Sequence, residues 1–147
     1  MNYCIFDIEV VPFTNRILEV AAIRLDNVLN IIEEIEVRTN VPWEKVAIGK
    51  YKEKEAMEIL INSIEEDDIV IGYRMKFKEK ILEMWGIRLN KRWDIEFLGK
   101  KELGLIQPLL SEMAKLLNIK EIDKDRALGD CLTMYDILRK TIDVKVR

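Results

Sequence analysis

The stretch that decides the fold is Tyr3-Cys4-Ile5-Phe6-Asp7-Ile8-Glu9-Val10-Val11. It is mostly apolar, as expected of a central strand that is covered on both faces. Asp7 and Glu9 are two residues apart, so their side chains leave the same face of the strand, roughly 6 to 7 Å apart. A divalent cation would remove the cost of keeping both carboxylates ionised and partly buried. An isolated Asp-x-Glu pair is more often the exposed end of a strand, so the pair alone predicts no site.

The rest of the chain predicts a mixed sheet flanked by helices. Two β-compatible runs, Ile17–Leu25 and 28–37, are separated by the turn residues Asp26-Asn27 and predict a hairpin. A short apolar run at Ile69–Gly72 predicts one more strand. Apolar residues at helical spacing predict four helices, near residues 54–66, 77–85, 108–118 and 126–138. We therefore expect one α/β domain over residues 1–147, with a central mixed β-sheet.

Composition limits the environment and the partners of the chain. The net charge of −3 provides no general positive field for a polyanion, so any nucleic-acid contact must be local. The longest apolar run, about five residues, is far below the roughly 20 needed to cross a bilayer. We expect a cytoplasmic protein with no membrane partner. Heavy use of Ile, Lys and Glu gives a thermophile-like composition.

Two residue types restrict the possible chemistry. The chain has no His, which excludes imidazole zinc sites, Ser-His-Asp triads and imidazole general bases. Cys4 and Cys131 have apolar neighbours in the sequence and are predicted to be buried free thiols. Catalysis would therefore have to use carboxylates, Lys, Tyr, Ser, Thr, Cys or a metal.

A second acidic motif lies near the end of the chain, at Asp125-Arg126-Ala127-Leu128-Gly129-Asp130. It places Asp130 early in the last predicted helix, at the edge of its apolar stripe. Two interpretations explain these residues without catalysis. Asp125 is a suitable N-cap, and Arg126 with Asp130 is a suitable i,i+4 ion pair.

Three motifs in order, Asp7-Ile8-Glu9, Ile17-Leu18-Glu19-Val20-Ala21 and Asp125 to Asp130, resemble those of the DEDD (DnaQ-like) 3′-5′ exonucleases in the RNase H-like superfamily. The resemblance covers almost the whole chain and implies an RNase H-like exonuclease fold. It also implies that Asp7, Glu9 and Asp130 are catalytic and hold Mg²⁺ or Mn²⁺. The His of the family's closing motif corresponds to Asp125, which we expect to be the fourth catalytic residue.

The middle motif of the family, His-Asn-x-x-Phe-Asp, falls on Tyr73-Arg74-Met75-Lys76-Phe77-Lys78. Phe77 matches, but Arg74 replaces the Asn and Lys78 replaces the Asp. Because the family's second metal uses that Asp, the resemblance implies one retained metal site. Lys78 would either put a cation where the second metal acted or neutralise the carboxylates with no metal at all. Arg126 stands where another subfamily has Tyr, so both usual general bases are absent.

Arg74, Lys76 and Lys78 form a basic cluster with Phe77, and such a cluster can bind single-stranded DNA or RNA by phosphate contact and stacking. A solvated helix face is the simpler interpretation.

The favoured function is a divergent 3′-5′ exonuclease with weak metal-dependent hydrolysis at nucleic-acid ends. The alternative is a catalytically inactive module that binds nucleic acid, or protein partners in a replication or repair assembly. Asp94 resembles an Asp that follows the middle motif and is predicted to be structural.

Overall fold

The computed structural model describes residues 1–44 and 47–146, and within these ranges it contains five strands and five helices. In chain order they are β1 (Tyr3–Val10), β2 (Ile17–Leu25), β3 (Ile31–Arg38), α1 (Glu53–Asn62), β4 (Ile69–Gly72), α2 (Met75–Met84), β5 (Arg92–Asp94), α3 (Ile95–Leu103), α4 (Leu110–Leu116) and α5 (Ala127–Val146).

The strands form one sheet in the order β3-β2-β1-β4-β5. The β3-β2-β1 meander is antiparallel, and β4 and β5 add to β1 in parallel. Helix α1 precedes β4, and α2 connects β4 to β5. Parallel strand pairing requires such crossover connections. The predicted α/β class, with a central mixed sheet between helices, is confirmed.

Strand β1 separates two apolar cores because its side chains alternate between the faces of the sheet. Cys4, Phe6 and Ile8 pack into the core with α1 and α2. Ile5 lies on the opposite face, in the core with α3, α4 and α5. Asp7 is in phase with Ile5, so it belongs to the face that α5 covers.

The hairpin connection is longer than predicted. Residues 26–30 form a loop in which the Asp26 carboxylate accepts hydrogen bonds from the N–H groups of Val28 and Asn30. Leu29 adopts a left-handed backbone with φ of 67°, and β3 begins only at Ile31. The apolar character of residues 28 and 29 made them resemble strand, but the Asp26 side chain binds the backbone groups that a strand would use.

Strand β5 and helix α3 were not predicted. Three residues are too few for strand β5 to show alternation, and α3 buries only Ile95, Leu98 and Gly99 before Gly104 ends it. Helices α1 and α4 occupy the predicted segments but are shorter, at Glu53–Asn62 and Leu110–Leu116.

Both cysteines are buried and free, as predicted. Among the described helices, none is long and apolar enough to cross a membrane.

Candidate active site

Asp7 and Glu9 lie where β1 extends beyond its parallel neighbour. The β1–β4 ladder ends at the pair Ile5–Ile71, whereas the β1–β2 ladder continues and places Asp7 opposite Ala21. The end of β4 therefore leaves one side of β1 open at the two acidic residues. This opening forms the floor of a cleft.

Glu19 fixes helix α5 over that opening. Its carboxylate is buried and accepts three hydrogen bonds of 2.9 Å, two from the Arg126 guanidinium and one from the N–H of Ala127. A carboxylate at this end of a helix satisfies an otherwise unpaired N–H group and interacts favourably with the helix dipole. Asp130 lies one turn later, so Glu19 sets its position.

The two simpler interpretations of the closing motif are wrong. Asp125 is not the N-cap, since it lies two residues before Ala127 in a left-handed conformation with φ of 65°, and Glu19 accepts the hydrogen bond from Ala127. Arg126 forms its ion pair with Glu19, and the predicted pair with Asp130 is not formed. Both predictions considered contacts within one helix, whereas the observed partner lies 107 residues away.

Gly129 allows the loop before α5 to pack against the helix. A Cβ atom at this position would overlap the backbone oxygens of Ile122 and Asp123. The absence of a side chain therefore lets residues 122–125 approach α5 closely, and this approach brings Asp125 to the rim of the cleft.

The three acidic residues of the predicted metal site converge. Asp7, Glu9 and Asp130 each provide a carboxylate oxygen, and these oxygens lie within 4.8 Å of one another. Asp7 is only 3% exposed, and its Oδ2 has no hydrogen-bond partner among the described residues. A buried carboxylate oxygen without a donor is costly, and a divalent cation would satisfy it. The donor set therefore fits Mg²⁺ or Mn²⁺, which prefer oxygen ligands.

Lys78 enters the same cluster from α2. Its Nζ lies 2.9 Å from Asp7 Oδ1 and donates a second hydrogen bond of 3.2 Å to the carbonyl oxygen of Ile8. The Lys78 side chain is 12% exposed, so this contact is a largely buried ion pair. The lysine thus contacts one oxygen of Asp7 and leaves the other without a donor.

Asp94 holds the start of α2 in place. Its carboxylate accepts hydrogen bonds from the N–H groups of Arg74, Met75 and Glu96 at 3.2, 2.9 and 2.9 Å. It therefore caps α3 and also supports the left-handed turn at Arg74. This arrangement agrees with the structural role predicted for Asp94, and it sets the position from which Lys78 reaches the cluster.

Burial and the nearby charge of Asp7 raise the proton affinity of Glu9 and Asp130. Burial, and then the negative charge of Asp7, raise the pKa of Glu9 to about 10. The same two causes, in the same order, raise the pKa of Asp130 to about 7. Burial lowers the pKa of Lys78, but the nearby carboxylates outweigh it, Asp7 first, and the net shift is upward. Without a metal ion the cluster therefore retains protons near neutral pH, and a divalent cation would displace them.

The cleft of about 460 Å³ contains nearly all the predicted site residues. Its lining residues are Asp7, Glu9, Tyr73, Arg74, Phe77, Lys78, Leu110, Asp125, Asp130 and Met134. Lys76 is exposed on α2 and is not among them. Sequence reasoning missed the apolar wall of Leu110 and Met134, and it assigned no role to Glu19, although Glu19 lies in the quoted second motif.

The fold is shared with known exonucleases. No protein-family model matches the chain, and no curated protein matches its sequence. Among solved structures, E. coli Exonuclease I in complex with a 5cy-dA13 oligonucleotide superposes with a TM-score of 0.68 at 18% identity over 97% of this chain. The ExoI/SSB-Ct complex gives 0.66 at 17% identity over 99%. S. pombe Pop2p in its Mg²⁺- and Mn²⁺-bound form gives 0.60 at 15% identity over 99%.

The extent of these matches differs. The chain spans 40% and 43% of the two exonuclease I chains and 83% of the Pop2p chain. The TM-scores of 0.60 to 0.68 show a shared fold at identities of 15 to 18%. The five-stranded mixed sheet and its flanking helices thus have the RNase H-like exonuclease fold that the sequence predicted.

Proposed function

We propose that the chain is a metal-dependent 3′-5′ exonuclease-type phosphodiesterase that acts on single-stranded DNA or RNA ends. The observation that carries the proposal is the convergence of Asp7, Glu9 and Asp130 in one cleft of an exonuclease fold. These residues come from β1 and α5, more than 120 positions apart, and Asp7 has a buried oxygen without a donor. An exposed strand end would not bring such residues together.

Asp7, Glu9 and Asp130 would hold one Mg²⁺ or Mn²⁺ ion. When bound, that ion supplies Lewis-acid polarisation of a phosphodiester and a more acidic water. Asp125 is exposed and lines the same cleft, which supports it as the group that accepts the proton of the attacking water. A carboxylate is a weaker base than the usual His, and loss of an optimal base costs about 10²- to 10⁴-fold in rate. The expected activity is therefore slow.

The substrate strand would lie across Arg74 and Phe77. Phe77 is 44% exposed at the cleft, so its ring is available for stacking on a base, and Arg74 is exposed beside it for a phosphate. Lys76 would contact the strand only outside the cleft. The overall charge of −3 makes affinity depend on these few contacts, and we expect it to be modest.

The test is release of nucleotides from labelled single-stranded DNA and RNA with Mn²⁺ or Mg²⁺. Asp7→Ala should abolish release, but Asp7 pairs with a buried lysine, and removing one partner of such a pair costs about 3 to 5 kcal/mol. Asp130→Asn is the better variant, with Asp136→Asn as its control, because Asp136 is an exposed residue of the same helix. Asp130→Asn should lower the rate by more than about 100-fold. Mutation of a residue that only contacts a metal ligand already lowers metal affinity or activity about 10- to 100-fold.

A second candidate is supported by the Lys78–Asp7 ion pair. If the ammonium neutralises the cluster, the chain is an inactive exonuclease-fold module that binds nucleic acid or a protein partner. Among the structural neighbours, one is a complex with an SSB-Ct partner, which supports a protein-binding role in a replication or repair assembly as part of this candidate. Metal-saturated protein that releases no nucleotide from DNA or RNA would reject the enzyme and favour this module.

A further inference from the structure

The charges of the fully ionised cluster, the form that binds a metal, indicate how many divalent ions it can hold. Three carboxylates, those of Asp7, Glu9 and Asp130, converge within 4.8 Å, and Lys78 forms an ion pair with the first of them. Arg74 and Asp125 also line the cleft, at exposed positions, and their opposite charges offset each other. When a metal displaces the protons that the cluster holds, three ionised carboxylates and one lysine leave two negative charges, which a single divalent ion neutralises.

The contacts of Lys78 lead to the same conclusion. Its ammonium contacts Oδ1 of Asp7, while Oδ2 has no donor among the described side chains and backbone groups. One oxygen of Asp7 is therefore available to a metal and the other is engaged by a fixed cation. A second divalent ion on Asp7 Oδ1 would have to displace the lysine and also face its positive charge in a partly buried site.

The lysine also keeps a donor for a ligand. An ammonium group has three N–H donors. The hydrogen bonds described for Lys78 use two of them, to Asp7 and to the carbonyl of Ile8. Lys78 and Phe77 both line the cleft, and the Nζ lies 5.4 Å from the centre of the Phe77 ring, so the remaining N–H donor belongs to an ammonium group at the cleft wall.

We propose that the ammonium group of Lys78 takes the place of a second metal ion, so that the site binds one divalent cation and the lysine donates to an oxygen of the bound phosphodiester. The inference rests on the metal site of the proposed function and adds a stoichiometry and a role for Lys78. A donor of this kind stabilises negative charge that develops on phosphate oxygens.

The decisive measurement is the number of Mn²⁺ ions bound, by isothermal titration calorimetry and by electron paramagnetic resonance, because it needs no activity. The native chain should bind one ion. Lys78→Asp should bind two, and ions about 3.5 to 4 Å apart give a spin-coupled spectrum. Lys78→Met should still bind one, about tenfold or more tightly, because the repulsion between ammonium and metal is removed. Lys76→Asp and Lys76→Met are the matched controls on the same helix and should behave like the native chain.

Each other result has a defined meaning. Two ions in the native chain, or one in folded Lys78→Asp, would overturn the proposal. Binding of Mn²⁺ to Lys78→Met but not to the native chain would show that the lysine replaces metal altogether, which also overturns it. If Lys78→Asp does not fold, as judged by circular dichroism, the affinity of Lys78→Met decides, and an unchanged affinity contradicts the repulsion argument.

The catalytic part of the inference has its own measurement. With Mn²⁺ bound, Lys78→Met should lower the rate constant for nucleotide release by about 100-fold or more, as expected for loss of one transition-state donor. Lys54→Met should leave the rate unchanged, because Lys54 is exposed on α1 and does not line the cleft. Equal rates for Lys78→Met and the native chain would remove the lysine from catalysis. Absence of release in every variant would reject the proposed function, while the ion count would still test the site.

Discussion

The clearest prediction concerns Glu19, because its carboxylate connects β2 to α5 and no metal is needed to test it. We expect Glu19→Gln to destabilise the protein by about 2 to 3 kcal/mol. The buried carboxylate accepts three hydrogen bonds of 2.9 Å from Arg126 and Ala127. Hydrogen bonds to charged groups contribute about 1.5 to 3 kcal/mol each, and a helix cap about 1 kcal/mol.

The magnitude follows from what the amide keeps. Gln retains one acceptor oxygen, so it preserves one or two of the three bonds, but its NH₂ group then faces a donor of Arg126. The Arg126 side chain is 30% exposed, so water replaces part of the lost interaction and the full cost of a buried charge does not apply. The expected loss is therefore below the 3 to 5 kcal/mol of a completely buried pair.

Urea denaturation followed by circular dichroism measures this loss. Glu96→Gln is the control, because the ion pair of Glu96 is an i,i+4 pair with Lys100 at 3.8 Å, and the substitution should cost less than about 0.5 kcal/mol. A double-mutant cycle with Arg126→Met should give a coupling energy of at least about 1 kcal/mol. Equal stability of Glu19→Gln and the native chain would refute the assignment of Glu19 as the residue that fixes α5.

Two further predictions use other groups. Asp94→Ala removes the acceptor of three backbone N–H groups and should lower the free energy of unfolding, measured with urea, by about 2 kcal/mol. Asp67 is exposed, so Asp67→Ala should lower it by less than about 0.5 kcal/mol. Equal losses would contradict the role of Asp94. Burial, and then the charge of Asp68, raise the pKa of Cys4 from its ordinary 9.0 to about 12. Because this pKa is raised on folding, the stability that the thiol contributes is complete below pH 9 and is lost as the pH rises toward 12. Between pH 9.5 and 10.5 the native chain should lose about 1 kcal/mol more stability than Cys4→Ala, and parallel pH profiles would contradict the shift.

The fold and the acidic cluster could be predicted because both depend on periodicity. The two-residue spacing of Asp7 and Glu9 determines that they share a face of β1, and the helical stripe of α5 determines that Asp130 faces the sheet. A resemblance in motif order then placed the two segments together. Periodicity did not predict β5, which is three residues long, or the loop at residues 26–30, where one carboxylate replaces strand hydrogen bonds.

The partners of the charged residues could not be predicted in the same way. Arg126 had a plausible partner four residues away, but the observed partner is Glu19, because a bidentate pair at 2.9 Å with a buried carboxylate is stronger than an exposed pair along a helix. Sequence spacing describes only local alternatives. A long-range pair depends on which strand lies beneath the helix, and that is known only once the sheet order is known.

The position of Lys78 shows how the edge of the sheet accommodates a lysine. The β1–β4 ladder stops at Ile71, so the carbonyl of Ile8 lies beyond it and accepts its hydrogen bond from the ammonium of Lys78. An ionised Asp at position 78 would have no donor for that carbonyl and would add a fourth carboxylate to the cluster. The lysine both supplies the missing donor and compensates the charge of Asp7 at 2.9 Å. The edge of the sheet therefore accommodates a lysine at position 78, beside the three converging carboxylates.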